Sequence, residues 1–181
     1  MAINSIRKGN QFERDAAKLL GKAICDDPRG FVRMGLQGRS IEKFRGDLIP
    51  NLNPSLPERV KALSAAFARL WMVDAKDRKK WTIDGLVLSP KSEPWAWWDK
   101  LVDASEEVGM SPLMILKYRG KVWGVVQGAA DCWTKAPRGF YLKAHGYDVL
   151  IFPWDEMSHF NTAGLEVLNA QPREKGVGVS A

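Results

Sequence analysis

Trp71-Met72-Val73-Asp74-Ala75-Lys76 is an apolar run that acquires an acid and a base near its end. In a strand, successive side chains point to opposite faces at about 3.3 Å rise per residue. Asp74 and Lys76 therefore share one face, roughly 7 Å apart along the strand, while Val73 and Ala75 turn toward the core. Upstream, Gly46-Asp47-Leu48 places a second acid at the end of another strand-like run, 27 residues before Asp74. A third acid, Glu13, lies in an amphipathic N-terminal segment. With Asp47 ending the neighbouring strand on the same side, two carboxylates and an ammonium converge on one small volume. That is the minimum equipment for metal-assisted cleavage of a phosphodiester.

The rest of the chain narrows the chemistry. At 181 residues it buries one sizeable core, and 45% hydrophobic with 27% charged residues is the composition of a globular domain. The segment 1–170 reads as one domain, and 171–181 has the composition of a loose tail. No run of 18 apolar residues and no signal-peptide-like apolar region is present, so the expected location is the cytoplasm, a host's if the chain is phage-encoded, with no membrane partner. Cys25 and Cys132 are the only cysteines, and His145 and His159 the only histidines. A disulfide framework or a Cys- or His-rich zinc site is unsupported, and a catalytic metal is expected on oxygen ligands, favouring Mg2+ with Mn2+ as a substitute. The net charge of +6 and pI near 9.4 are compatible with a nucleic-acid partner.

Apolar spacing predicts a helix over about 4–24, with Phe12, Ala16, Leu19, Leu20 and Ala23 on one face. Short strands are expected over 31–36 and 45–52. Pro57 is placed in the first turn of a helix running to about Leu70. The strand 71–75 follows at once, and then the basic run Lys76-Asp77-Arg78-Lys79-Lys80. Asp84-Gly85 reads as a turn within a Pro- and Trp-rich loop. A helix is expected over 97–108 with Gly109 as its C-cap, and a hairpin 113–118/121–127 about Arg119-Gly120. Residues 128–146 read as an irregular excursion before a last strand at 148–152. The pattern is a single mixed-sheet α/β domain with helices on both faces.

Taken in order, Lys8-Gly9-Asn10-Gln11-Phe12-Glu13-Arg14 on a helix, Arg33 before a Gly/Ser loop, Gly46-Asp47, Asp74-Ala75-Lys76 and the Lys117–Lys121 hairpin resemble the PD-(D/E)XK nuclease superfamily. Within it they look most like the archaeal-type Holliday junction resolvases, forms of which occur in phages. The resemblance implies a restriction-endonuclease-like fold. It implies that Glu13 is the helix-borne acid, that Asp47 and Asp74 hold metal with the Ala75 carbonyl, and that Lys76 lies beside the scissile phosphate. Ser40 corresponds to a loop serine near the site of such resolvases. Four departures stand out. Gly46 occupies a position where proline often precedes the acid, and Asp74 replaces the commoner glutamate. The helix 57–70 replaces a tight turn, and 128–158 is longer than a minimal resolvase needs.

In isolation, Asp74 and Lys76 are better read as a solvated pair worth at most about 1 kcal/mol, and Glu13 is equally well read as part of a capping box begun by Asn10. The ordered set carries the catalytic reading. Arg7, Lys8, Arg14, Arg33, Arg39, Lys43, Arg45, Arg78, Lys79 and Lys80 flank the acids in sequence and suit salt-sensitive contacts to phosphates. Trp97 and Trp98 cannot share a helix face, so one of them is expected at a partner or domain surface. The resulting expectation is a magnesium-dependent, structure-selective DNA endonuclease of recombination or repair, acting as a homodimer on four-way or branched DNA. Its rivals are another nuclease of the superfamily in repair, replication or restriction, a catalytically silent DNA-binding protein on the same scaffold, and a Trp-rich interaction protein.

Overall fold

The computed structural model describes residues 2–34, 46–78, 81–89, 91–128, 132–163 and 165, with side chains from Lys8 onward. Helix α1 (Ala2–Cys25) buries Phe12, Ala16, Leu20 and Ile24, four residues apart, the spacing that stacks side chains on one helical face. It stops at a tight turn where Asp26 adopts φ 53° and Asp27 accepts both the backbone and the guanidinium of Arg29. Strand β1 (Phe31–Arg33) then pairs antiparallel with β2 (Leu48–Pro50) in a two-stranded ribbon.

Helix α2 (Glu58–Leu70) starts one residue later than expected, with Pro57 as its N-cap rather than inside its first turn. Strand β3 (Trp71–Lys76) leaves it directly. After α3 (Ile83–Leu88) and α4 (Glu93–Glu106), the chain forms β4 (Ser111–Tyr118), β5 (Lys121–Gln127), β6 (Phe140–Ala144) and β7 (Tyr147–Pro153), then a 3-10 turn over Trp154–His159. The main sheet runs β3-β4-β5-β7-β6. Only β3 and β4 are parallel, joined through the α3–α4 crossover, and the other pairs are antiparallel.

Two apolar layers sandwich this sheet. Trp71, Val73, Ala75, Leu113 and Ile115 pack with α1 and α2. Met72, Met114 and Leu116 pack with α3 and α4 on the opposite face. The alternation in β3 thus works as the sequence implies, and helices lie on both faces of a mixed sheet. Both sides of β4 are buried, which accounts for its unbroken apolar run Leu113–Leu116.

Three expectations are corrected. Asp84-Gly85 is not a turn but part of α3, whose N-cap Thr82 accepts the Gly85 amide at 2.9 Å. Helix α4 starts at Glu93, because Pro94 occupies its first turn, where a missing N–H costs nothing. The excursion 128–146 contains β6, an edge strand with Phe140 and Tyr141 exposed and therefore without a core-facing alternation. The Trp cluster is largely core. Trp95 and Trp98, three residues apart, are buried, and Trp97 is half-buried against the same cluster. Elsewhere the boundaries shift little. Arg119 and Gly120 take φ 48° and 79° in the tight β4–β5 turn, and Gly109 closes α4. Among the described residues no helix is long and apolar enough to cross a membrane.

The sheet has one position without room for a side chain. A Cβ on Gly124 would lie 2.3 Å from the ring of Phe152, which is fully buried opposite it. Gly124→Ala is expected to destabilise the fold by about 1–3 kcal/mol, the usual cost of overpacking. Urea denaturation should show a lower midpoint with an unchanged m-value.

Candidate active site

Asp47 stands immediately before β2, and two backbone links fix it against the edge of β3 while a third ties it to Met34 after β1. Gly46 bridges to Val73 in parallel register. The Asp47 amide donates to the Val73 carbonyl at 2.7 Å, and the Asp47 carbonyl accepts the Met34 amide at 2.7 Å. Gly46 sits at φ 95°, and a Cβ there would lie 2.5 Å from the Val73 carbonyl oxygen. This resolves the first departure from the superfamily pattern: the approach of the two segments leaves no space for the ring of a proline, whose φ is also locked near −65°.

From this anchor the Asp47 carboxylate accepts the Ala75 amide at 3.1 Å and the Lys76 ammonium at 3.4 Å. Lys76 also forms a close ion pair with Asp74. The three side chains are mostly shielded, with exposures of 32% for Asp47, 17% for Asp74 and 26% for Lys76. The two acids hydrogen-bond to each other, and their protonation splits. Burial, with Asp47 beside it as hydrogen-bond partner and like charge, pushes the Asp74 carboxyl up to about 7. Burial opposes ionisation of Asp47 too, but the hydrogen bond from Asp74, the Lys76 charge and the Ala75 amide hold it below the usual carboxylate range. Lys76 loses hydration by burial, yet the two acids raise its affinity for its proton.

Two half-buried carboxylates held together, one pushed toward its protonated form, mark a position where one extra positive charge is favourable. The oxygen-only donor set matches a hard divalent cation, and magnesium commonly uses one or two carboxylates, completing its shell with water and phosphate. Among the described residues no cluster of three His, Cys, Asp or Glu is assembled. Glu13 projects from α1 to an ion pair with Arg33 of β1 rather than to the Asp47–Asp74 pair. Asp77 is buried in a salt bridge to Lys8 at 3.2 Å, and Asp84 lies in the first turn of α3.

The flanking cations fall into separate places. Arg14 and Arg33 line a cleft of about 450 Å3 with Lys18 and Arg29. Lys8 and Arg78 line another, beyond the end of β3. The Arg7 side chain and residues Arg39, Ser40, Lys43, Arg45, Lys79 and Lys80 lie outside the described residues. Sequence reasoning missed Lys100 and Glu107, which line a cavity of about 350 Å3 with Gly46 and Asp74. Their spacing with Ala104 is one helical face, a signal that became useful only once α4 was known to cross over β3.

A family model described as "Phage putative PDDEXK endonuclease" matches residues 4–166. The chain belongs to this endonuclease family. No curated protein and no solved structure matches it. Membership makes the chain a nuclease of the PD-(D/E)XK superfamily, with DNA as the substrate class and divalent metals as the superfamily's general cofactors. Asp47 and the stretch Asp74-Ala75-Lys76, with 26 residues between the two acids, lie within the matched span.

The split protonation gives the nuclease a measurable pH signature. Asp74 binds its proton more tightly folded than unfolded, so its contribution is complete below about pH 4 and is lost as pH rises through about 7. Asp26, Asp27, Asp47 and Glu156 are shifted the other way and act only on the acid side. Metal-free protein is therefore expected to lose thermal stability between about pH 4 and 7. Asp74→Asn should flatten that loss, and millimolar Mg2+ or Mn2+ at pH 8 should restore the wild-type melting temperature. A wild-type profile that stays flat across this window would show that Asp74 is not shifted upward.

Proposed function

We propose that this nuclease is a metal-dependent, structure-selective DNA endonuclease that nicks branched DNA, in the manner of a Holliday junction resolvase. The observation that carries the reading is the buried Asp47–Asp74 pair bridged by Lys76. Asp47 and Asp74 would hold the cation. The Ala75 amide donates to Asp47, so the Ala75 carbonyl lies on the same strand edge, where it would offer the cation a further oxygen ligand. Bound there, the cation supplies an acidified water and charge stabilisation at the phosphorane.

The chain's own groups do the rest. Lys76, on the face shared with Asp74, holds a compact positive charge beside the scissile phosphate and orients the attacking water. Glu13 acts one step removed, fixing Arg33 at the rim of the site through their ion pair. The basic clefts around Arg14, Arg33 and Lys8 suit phosphates without reading bases, which favours selection by DNA shape. A homodimer would match the twofold symmetry of a four-way junction.

The test is cleavage of a labelled synthetic four-way junction beside matched linear duplex and single strand, with Mg2+, with Mn2+ and with chelator. Paired nicks near the branch point, dependent on the cation, are expected. Equal cutting of all three DNAs would leave a nuclease without junction selectivity, and binding without cutting would leave a silent scaffold.

A further inference from the structure

Beyond Lys76 the chain continues through Asp77 and Arg78 into the wall of an open cavity of about 600 Å3. Its opposite wall is the end of β4 and the β4–β5 turn, Lys117 to Gly120, and Lys8 closes it from α1. Four cations meet here with one acid, Asp77, which Lys8 already neutralises at 3.2 Å. Among the described residues no carboxylate pairs with Arg78, Lys117 or Arg119. The remaining wall is aromatic. Tyr118 packs at 5.1 Å and a 44° tilt on Trp81, and the Arg119 guanidinium lies 5.2 Å over the Tyr118 ring. Trp81 is 2% exposed, and its indole N–H has no hydrogen-bond partner.

This is a different surface from one that grips duplex DNA. A duplex presents its phosphates on a convex rod, and its bases are stacked out of reach. A concave pocket with cations at the rim, Lys117 held 5.6 Å over the Phe12 ring, and a Tyr–Arg stack in the wall fits a single nucleotide that has left the helix. Its phosphates can reach Arg78 and Lys117, and its base can lie on the Arg119 plane, a surface on which unpaired bases stack. We infer that the cavity formed by Lys8, Arg78, Trp81, Lys117, Tyr118 and Arg119 receives an unpaired nucleotide of the DNA strand entering the active site. The inference rests on the nuclease reading, since β3 carries the strand from Asp74 and Lys76 directly to this pocket. It makes unpaired DNA beside the scissile bond a determinant of selectivity, so that a branched substrate with a single-stranded arm is favoured among branched DNAs.

The test uses the full chain in chelator, where no strand is cut. Fluorescence anisotropy compares a duplex bearing a five-nucleotide single-stranded extension, in each polarity, with a blunt duplex of equal phosphate count. The extended DNA of one polarity should bind about tenfold more tightly, the scale of one stacked base. Lys117→Ala should reduce that ratio below about threefold, and so should Arg119→Asn, which keeps a residue tolerant of the turn's positive φ. Equal binding by wild type, or a ratio unmoved in both variants, would overturn the inference. Cleavage of the same DNAs with Mg2+ keeps the two readings apart. A preserved ratio without cleavage would refute the endonuclease, and cleavage with a ratio of one would refute the pocket.

Discussion

Asp74→Asn is expected to lower junction cleavage by about 10³-fold or more while leaving DNA binding in chelator within a few-fold of wild type. The amide keeps the size of the carboxyl and sits in the same strand, so the fold has no reason to change. Three charges decide the outcome. Wild-type Asp74 stands beside the Asp47 carboxylate, which raises its proton affinity, and forms an ion pair with Lys76. The variant removes one negative charge from the donor set, so the site no longer offers two carboxylates to a divalent ion. Lys76 keeps Asp47 as a partner at 3.4 Å and remains charged. Phosphate attraction is therefore retained and the chemistry is lost. Asp47→Asn should abolish cleavage too, but with a structural penalty, because the Asp47 carboxylate also accepts the Ala75 amide. Cleavage by Asp74→Asn at even a tenth of the wild-type rate would show that the pair does not hold the metal.

Gly46→Ala should be nearly as damaging although it removes no functional group. The new methyl would meet the Val73 carbonyl oxygen at 2.5 Å and force a non-glycine residue to φ 95°. Strain of this kind costs on the order of 1–3 kcal/mol. The segment can relieve it only by withdrawing from β3, and that movement carries Asp47 with it. A displacement of about 1 Å at a reacting group is enough for a loss of about 10²-fold in rate. Turnover should therefore fall about 10²-fold in a protein that is still folded by circular dichroism and still binds DNA. Normal activity in Gly46→Ala would mean that the Gly46–Val73 contact does not position the acid.

The fold was legible where burial on two faces left a strong periodic signature. The i, i+4 stripe of α1, the alternation in β3 and the apolar run of β4 each record a packing environment. The turn at Arg119-Gly120 was legible because few residue pairs tolerate two positive φ angles. What escaped was short or exposed. Helix α3 has six residues and one fully buried side chain, Leu86, too few to set a period. Strand β6 faces solvent and carries no pattern to read. At the site, alternation put Asp74 and Lys76 on one face, and the order of the acids along the chain suggested Asp47 as their neighbour. The convergence was expected, but not the Gly46–Val73 contact across 27 residues that brings it about. Lys100 and Glu107 lay hidden for the same reason, since a crossover helix shows its face only when its sheet is known.

The ribbon β1–β2 touches β3 through one bridge and one backbone hydrogen bond, so the catalytic strand is also the border strand of the main sheet. A border strand offers unpaired amides and carbonyls to any extended chain that passes, the usual starting point for edge-to-edge aggregation. Here the outer positions at Val73 and Ala75 are taken by the backbone and carboxylate of Asp47, and two further charges stand beside them. The groups proposed to cut DNA thereby also cover this edge of the sheet against growth. Variants that dislodge Asp47 should then be harder to keep in solution as well as inactive, and poor solubility of such proteins would have its origin in the active site rather than in the core.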